Sequence, residues 1–276
     1  DANISIMQEI FKNKGYRIDN ITLLSNSITI TVNPSDLSSI SNTPSVWYIE
    51  PIDPPSEKEN KTARTLGRSN TINTKYASGR HYNGEGINIM MQDDGIIGPH
   101  IDYQGRIDQS SFGGSANNLS NTHGDHVAGT IMGSGNLDPI AAGMANGAFL
   151  YVYDSNNNNY VNAFPDLYDN YDVVITSKSY SNGCNAGYTS LSQELDQQIN
   201  LHPSLIHVFS AGNNGSGACN NPYISSTNGS NWGNVTGGHK QGKNVIAVAN
   251  LTSTSGLANS SSRGPAADGR IKPDIG

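Results

Sequence analysis

This sequence has no basic excess, no long apolar run and only two cysteines. The 276 residues carry 16 Lys and Arg against 23 Asp and Glu, a formal net charge of −7. That balance excludes an electrostatic nucleic-acid binder, which needs a basic face. No apolar stretch is long enough to cross a bilayer, so no membrane span is expected. Charged residues make up only 14% of the chain, and Asn, Ser, Thr and Gly supply the polar surface instead. Such a surface is common in exported proteins. No internal repeat is present. The chain begins at Asp1 without a charged-then-apolar leader, so both ends read as cut, by processing or by incomplete sequence. Its length suffices for one large domain, or a large one and a small one.

What is there centres on His123-Gly124-Asp125-His126-Val127-Ala128-Gly129-Thr130. A histidine stands at the mouth of a small-residue helix, where an imidazole can serve as a general base while Gly and Ala let the helix approach a sheet. Upstream, the apolar run Ile87-Asn88-Ile89-Met90-Met91-Gln92 ends in Asp93-Asp94-Gly95. Downstream, Leu205-Ile206-His207-Val208-Phe209 ends in Ser210-Ala211-Gly212-Asn213-Asn214-Gly215. An acid, a base and an amide donor, each at a strand end or helix start, is the set that acyl-transfer chemistry requires.

These blocks resemble the subtilisin-like serine proteases, the subtilases. Asp93-Asp94-Gly95 stands where that family has Asp-(Ser/Thr)-Gly, and the His123 block where it has His-Gly-Thr-His-Val-Ala-Gly-Thr. Ser210-Ala211-Gly212-Asn213 is similar to its Ala-Ala-Gly-Asn. Ser261-Ser262-Arg263-Gly264-Pro265 and Lys272-Pro273-Asp274 complete the series in the family's order. The resemblance runs from about residue 81 to the end. It implies a serine endopeptidase acting on protein or peptide substrates, secreted to the extracellular space or cell surface.

The chain also departs from the family pattern. The family's Gly-Thr-Ser-(Met/Phe)-Ala nucleophile block follows the Lys-Pro-Asp segment, and the sequence to Gly276 does not contain it. With the triad order Asp, His, Ser, the serine is expected beyond the end, and the fragment alone is expected to be inactive. A non-catalytic peptide-binding module on the same fold is the alternative. Asp94 and Asp125 replace hydroxyl residues and add negative charge near the imidazole, favouring its protonated form.

The chain divides by composition into three parts. In residues 1–55, Ile4, Ile6, Met7, Ile10 and Phe11 recur at helical spacing, and Gly15 stands at a C-cap position. Two β-type runs follow around Ser25-Asn26, then a short helix over Pro34–Ile40 and a closing strand over Val46–Glu50. That order is a ferredoxin-like βαββαβ without its first strand. It resembles the inhibitory propeptide of subtilases, a partner in cis; an unrelated small domain is the alternative. Residues 56–80 are a polar linker expected to hold the processing site. Residues 81–276 alternate buried strands with helices, the pattern of an α/β fold with a parallel sheet covered on both faces. The strands are expected at Ile87–Gln92, Ala148–Tyr153, Val173–Ser177, Leu205–Phe209 and Val245–Ala249. Helices are expected at His126–Met132 and Ser190–Asn200. A ligand site then lies outside the carboxyl ends of the strands.

The resemblance assigns Asp93, two residues before Gly95 as in the family, as the acid orienting His123, with Asp94 its rival; an ordinary turn is the alternative reading of Asp93-Asp94-Gly95. His123 is the general base and Asn213 the oxyanion donor. Ser179, Tyr180 and Ser181 would form the edge that pairs with substrate main chain, and Ser210, Ala211 and Gly212 the opposite wall. Cys184 and Cys219 lie in loops beside that cleft. A bridge between them would close about 35 residues and stabilise by roughly 3–4 kcal/mol; two free thiols are the alternative. No metal and no cofactor is required. His123 and His126 are three apart, not the four of His-Glu-x-x-His. Asn156–Asn159 and nearby Asp residues are read as a solvated loop rather than a calcium site, for want of spaced acids.

Overall fold

The apolar runs of the second half pair side by side as parallel strands, since each carries side chains that demand cover on both faces. A computed structural model describes residues 4–22, 27–47, 49, 60–74, 76–94, 97–110, 122–155, 160–181, 183, 187–215, 217 and 232–276. The chain forms two compact units, Asp1–Glu57 and Lys58–Gly276.

In the first unit, α1 (Ile4–Asn13) is followed by an antiparallel pair, β1 (Arg17–Thr22) and β2 (Ser27–Thr31), and then by α2 (Leu37–Ser41). Met7 and Phe11 from α1 and Ile40 from α2 bury against Ile18, Ile28 and Ile30 of the pair. The order helix, strand, strand, helix matches the expectation, and Gly15 stands after α1 at positive φ. The closing strand does not form at Val46, Trp47 or Ile49, and the Trp47 side chain is 94% exposed. Tyr48 and Glu50 lie outside the described residues.

The second unit begins with structure where a polar linker was expected. Residues 60–72 form α3 (Asn60–Leu66) and α4 (Ser69–Ile72). Packing overrides composition here: Ser69 is buried with its Oγ 3.3 Å from the Met144 sulfur, and Asn73 Nδ2 donates to Asn146 Oδ1 at 3.0 Å. Residues 51–59 and Lys75 lie outside the described set.

Six strands make the sheet: β3 (Asn88–Asp93), β4 (Ile107–Asp108), β5 (Phe149–Asp154), β6 (Val173–Lys178), β7 (Ile206–Ser210) and β8 (Ile246–Val248). All pair in parallel, in the order β4-β5-β3-β6-β7-β8. Ile89, Met91, Leu150 and Val152 face one layer, where Ala128 and Met132 of α5 (His123–Met132) pack. Met90, Val173 and Phe209 face the other. There they meet Val161, Phe164 and Leu167 of α6 (Tyr160–Tyr171) and Leu195 of α7 (Ser190–Leu201). The alternation of Ile89, Met90 and Met91 between layers is the period-two geometry of a strand buried on both sides.

Besides α3 and α4, two further elements were not expected from the sequence, α6 and β4. In α6, Pro165 interrupts the helical text, yet burial of Val161, Phe164 and Leu167 on one face carries the helix past it. In β4, two residues pair only through Ile107↔Leu150 and Asp108↔Tyr151, too few to show a period. Among the described residues no helix is long and apolar enough to cross a membrane.

The chain runs from β3 to β4 and β5 on one side, then crosses to β6, β7 and β8 on the other. Such a reversal opens a crevice at the carboxyl ends of the strands flanking it. Asp93 is the last residue of β3 and sits at that point.

Candidate active site

Asp93 is 1% exposed, and three backbone and side-chain contacts hold it at the strand end. The Ser155 N–H donates to its carbonyl at 2.8 Å, and the Asp94 N–H donates to its Oδ1 at 2.9 Å. His123 Nδ1 lies 2.6 Å from the same Oδ1, while the imidazole stays 52% exposed. The carboxyl is held above the usual aspartate range, burial outweighing the opposing hydrogen bond from His123. Its second oxygen, Oδ2, is buried and has no hydrogen-bond partner among the described residues. Residue 94 here is Asp, and an ionised carboxylate cannot donate.

The rival acid, Asp94, does different work. Its Oδ1 accepts the Gly124 N–H at 2.9 Å and so caps the first turn of α5. A Cβ on Gly124 would come within 2.5 Å of the Asp94 carbonyl oxygen, so only glycine lets the helix start approach the β3 end this closely. Asp125 closes a capping box with Thr122: the Thr122 N–H donates to Oδ2 at 3.2 Å, and the Asp125 N–H donates to Thr122 Oγ1 at 3.3 Å. Asp125 Oδ1 also accepts the Gly98 N–H at 2.7 Å. Both acids next to the candidate dyad are therefore engaged on backbone amides. The helix begins at His123 rather than the expected His126, and the signal was present in the sequence. Thr122-His123-Gly124-Asp125 is the capping-box pattern.

Asn213 stands exposed just past β7 on a loop that later segments brace. The Ser262 N–H donates to the Gly212 carbonyl at 2.8 Å, and Ser262 Oγ accepts the Asn214 N–H at 3.0 Å. Arg263 Nη1 donates to the Gly215 carbonyl at 3.1 Å. Gly212 has φ +112°, and a Cβ there would meet Thr236 Oγ1 at 2.2 Å. The Ser-Ser-Arg block thus braces the loop that presents the candidate oxyanion donor. The Lys272–Asp274 block anchors β8: Lys272 Nζ donates to the Val245 carbonyl at 2.9 Å and to Asp274 Oδ2 at 2.6 Å, and the Ala247 N–H donates to that oxygen at 2.7 Å.

The two expected cleft walls follow β6 and β7, which are paired neighbours through Lys178↔Phe209. Ser179 and Tyr180 are half-buried and Ser181 is exposed. The Tyr180 hydroxyl donates to Gln92 Oε1 at 2.8 Å and its ring stacks on His239, so its side chain points into the protein. Thr236, which the sequence did not single out, joins both walls. Its N–H donates to the Ala211 carbonyl at 3.0 Å, and its Oγ1 lies 2.7 Å from Ser181 Oγ. Behind it Lys240 Nζ donates to Thr236 Oγ1 at 2.8 Å from a fully buried position, where burial pulls the amine down to about 7. Burial also pulls Lys178 well below its ordinary range, its Nζ donating to Thr176 Oγ1 at 2.6 Å.

Asp93, Asp94 and His123 are the three side chains among the described residues whose ligating atoms gather within 4.8 Å of one another. His126, one turn along, is exposed and outside that group. Among the described residues no other set gathers in this way, and in this one Asp93 and His123 already bond each other and Asp94 bonds Gly124. Cys184, Cys219 and Asn156–Asn159 lie outside the described residues.

Among solved structures, MycP1 with its N-terminal propeptide removed gives a TM-score of 0.50 at 17% identity, over 74% of this chain and 67% of that one. The prenylagaramide maturation protease PagA gives 0.48 at 16% identity, over 67% and 61%. EpiP, the epidermin leader peptide processing serine protease from Staphylococcus aureus, gives 0.46 at 16%, over 94% and 69%. The chain thus spans about three fifths of PagA, and the likeness to MycP1 is one of fold alone. The family model described as the Subtilase family matches residues 84–276, from the turn before β3 through all the blocks above. By that match, the chain belongs to the subtilase family.

Proposed function

We propose that the chain is the propeptide and the N-terminal part of the catalytic domain of a secreted serine endopeptidase. The observation that carries this is the 2.6 Å contact from His123 Nδ1 to the buried Asp93 carboxylate, with the rest of the imidazole left exposed. A carboxylate on Nδ1 holds the proton there and leaves Nε2 as the basic nitrogen. Nε2 then accepts a proton from a serine hydroxyl as its oxygen attacks a peptide carbonyl, and returns that proton to the leaving amine. Asp93 orients the ring and stabilises the imidazolium. The Asn213 side-chain amide donates to the oxyanion, from a loop whose backbone is already braced.

In this reading the serine comes from a segment following Lys272–Asp274. Residues 179–181 and 210–212 flank the substrate, and protein or peptide chains lie along the 179–181 edge. Unit Asp1–Glu57 acts as the propeptide, released by cleavage within residues 56–80. The reaction requires no metal or cofactor, and a Cys184–Cys219 bridge suits export.

The test is fluorophosphonate labelling. Full-length protein labels at a serine in a Gly-Thr-Ser segment, and residues 1–276 alone do not. Absence of labelling and of peptide hydrolysis in the full-length protein overturns the protease reading in favour of a peptide-binding module.

A further inference from the structure

Tyr180 belongs to the 179–181 wall, yet its side chain leaves the cleft. Gln92 pairs with Lys178 where β3 and β6 run side by side, and Tyr180 stands two residues past Lys178. Strand parity therefore carries its side chain to the layer that Gln92 faces. There the Tyr180 hydroxyl meets Gln92 Oε1 at 2.8 Å.

The direction of this bond is fixed by chemistry at both ends. Gln92 is fully buried, and its amide contacts the Asp154 carbonyl at 3.1 Å. A carbonyl only accepts, so the amide nitrogen is the atom that faces Asp154. The amide oxygen then faces Tyr180 and can itself only accept, which makes the phenol the donor. One line of bonds thus joins the end of β5, the end of β3 and the segment after β6. On its other side the Tyr180 ring stacks on His239, with centroids 5.4 Å apart and planes 25° from parallel. His239 is buried and rests in turn on Phe209 of β7 at 4.9 Å. Hydroxyl and ring together pin Tyr180 between β3 and β7.

Gln92 immediately precedes Asp93. Successive residues of a strand point to opposite layers, so β3 turns Asp93 toward His123 and Gln92 toward Tyr180. The candidate base and the 179–181 edge are set against one strand end, from its two faces.

We infer that Tyr180 is a positioning residue, whose bond to Gln92 fixes the 179–181 edge relative to the Asp93–His123 dyad and so brings a peptide lying along that edge to the base in register. The hydroxyl touches no substrate; it acts through the main chain of residues 179–181. Placement of this kind matters because reacting atoms must come within about 3–3.5 Å of each other. Its signature is rate gained from substrate residues remote from the cleaved bond, since only those lie along the edge.

The inference rests on the protease reading above. It is tested on full-length protein with two anilides of the same residue, one bearing that residue alone and one extended to a tetrapeptide. Wild type is expected to show a higher kcat/KM on the tetrapeptide. In Tyr180→Phe that gain falls about fivefold, the scale of one neutral hydrogen bond. Gln92→Met removes the same bond from its other end and loses as much, and the double variant loses no more than either. Because the gain is a ratio within one preparation, a loss of folded protein cancels from it. An unchanged ratio in both single variants overturns the inference and leaves the protease reading standing. So does a wild type that gains nothing from the longer peptide, an outcome that needs no variant to fold. If wild type cleaves neither anilide, the protease reading fails. Fluorescence anisotropy of the labelled tetrapeptide then decides: weaker binding to Tyr180→Phe than to wild type supports the role of Tyr180 in setting the edge, and equal binding overturns it.

Discussion

Asp93 and His123 share one hydrogen bond but stand in opposite environments, the carboxylate 1% exposed and the imidazole 52%. Burial raises the acid, and the contact with His123 partly offsets that. The sheet supplies the cover for Asp93, through Ser155 at the end of β5 and the turn into Asp94. A capped helix start supplies the open position for His123. The asymmetry suits an acid that never leaves its place and a base that must reach a substrate.

His123→Ala in the full-length protein is expected to remove most turnover, and Asp93→Asn nearly as much, on the order of 10⁴ by analogy with the handling of the imidazole tautomer in serine proteases. Asn213→Ala should cost less, about 10²–10³, the scale of one oxyanion donor in subtilisin. Steady-state kcat on a peptide substrate checks all three. Equal turnover of His123→Ala and wild type would end the reading built on this dyad.

Thr122→Ala should lower stability by about 1 kcal/mol, the usual worth of an N-cap. Asp125→Ala should cost more, because it removes acceptors for the Thr122 and Gly98 amides together. Both should also lower kcat, since they loosen the turn that carries His123. Urea unfolding midpoints alongside kcat separate the two effects. A destabilised variant with unchanged kcat would show that the cap does not position the base.

Gly212→Ala forces a Cβ onto a backbone at φ +112° and into Thr236 Oγ1. A cost of about 3 kcal/mol is expected from backbone strain and overpacking together. Thr236→Ser keeps the hydroxyl and removes the methyl, which the same Cβ would meet at 2.8 Å. It should recover only part of that loss, because Oγ1 stays the nearest obstacle. Thermal melts of the single and double variants measure it.

Lys240→Met should stabilise the fold at neutral pH by about 3 kcal/mol, the range seen when buried charges give way to apolar groups. The sign follows from linkage. An unfolded lysine keeps its proton up to about 10.5, whereas the folded amine sheds it at about 7. Between those values the unfolded state binds more protons, so stability rises with pH across the window. The cost is fully present below about 7 and is relieved by 10.5. Chemical denaturation from pH 6 to 10 should show that rise in wild type and a flatter profile in Lys240→Met. A variant less stable than wild type at pH 7 would mean that the amine is compensated in the fold.

Much of the fold was legible in the text because β3, β5, β6, β7 and β8 are short apolar runs between turn residues, and each formed within a residue or two of its expected span. The start of α5 is legible too, in the capping box of Thr122 and Asp125, three residues before the small-residue run that follows His126. The segment from Asn60 to Ile72 reads as polar linker, and α6 carries Pro165. In α6, helix formation follows from burial of Val161, Phe164 and Leu167 against the rest of the unit, which no local pattern records.

The sequence by itself determined which chemistry is available: an acid after one strand, a base before one helix and an amide after another strand, in an order that resembles one family. The tertiary structure decided which acid meets the base. Asp93 and Asp94 are adjacent and chemically identical, and only the end of β3 packed against the start of α5 sends one to the imidazole and the other to the Gly124 amide. It likewise decided that Thr236 meets Ser181 after one strand and Ala211 after another, with Lys240 behind it. Contacts of that kind depend on strand order and register, which are set when the sheet closes around its core and leave no periodic mark along the chain.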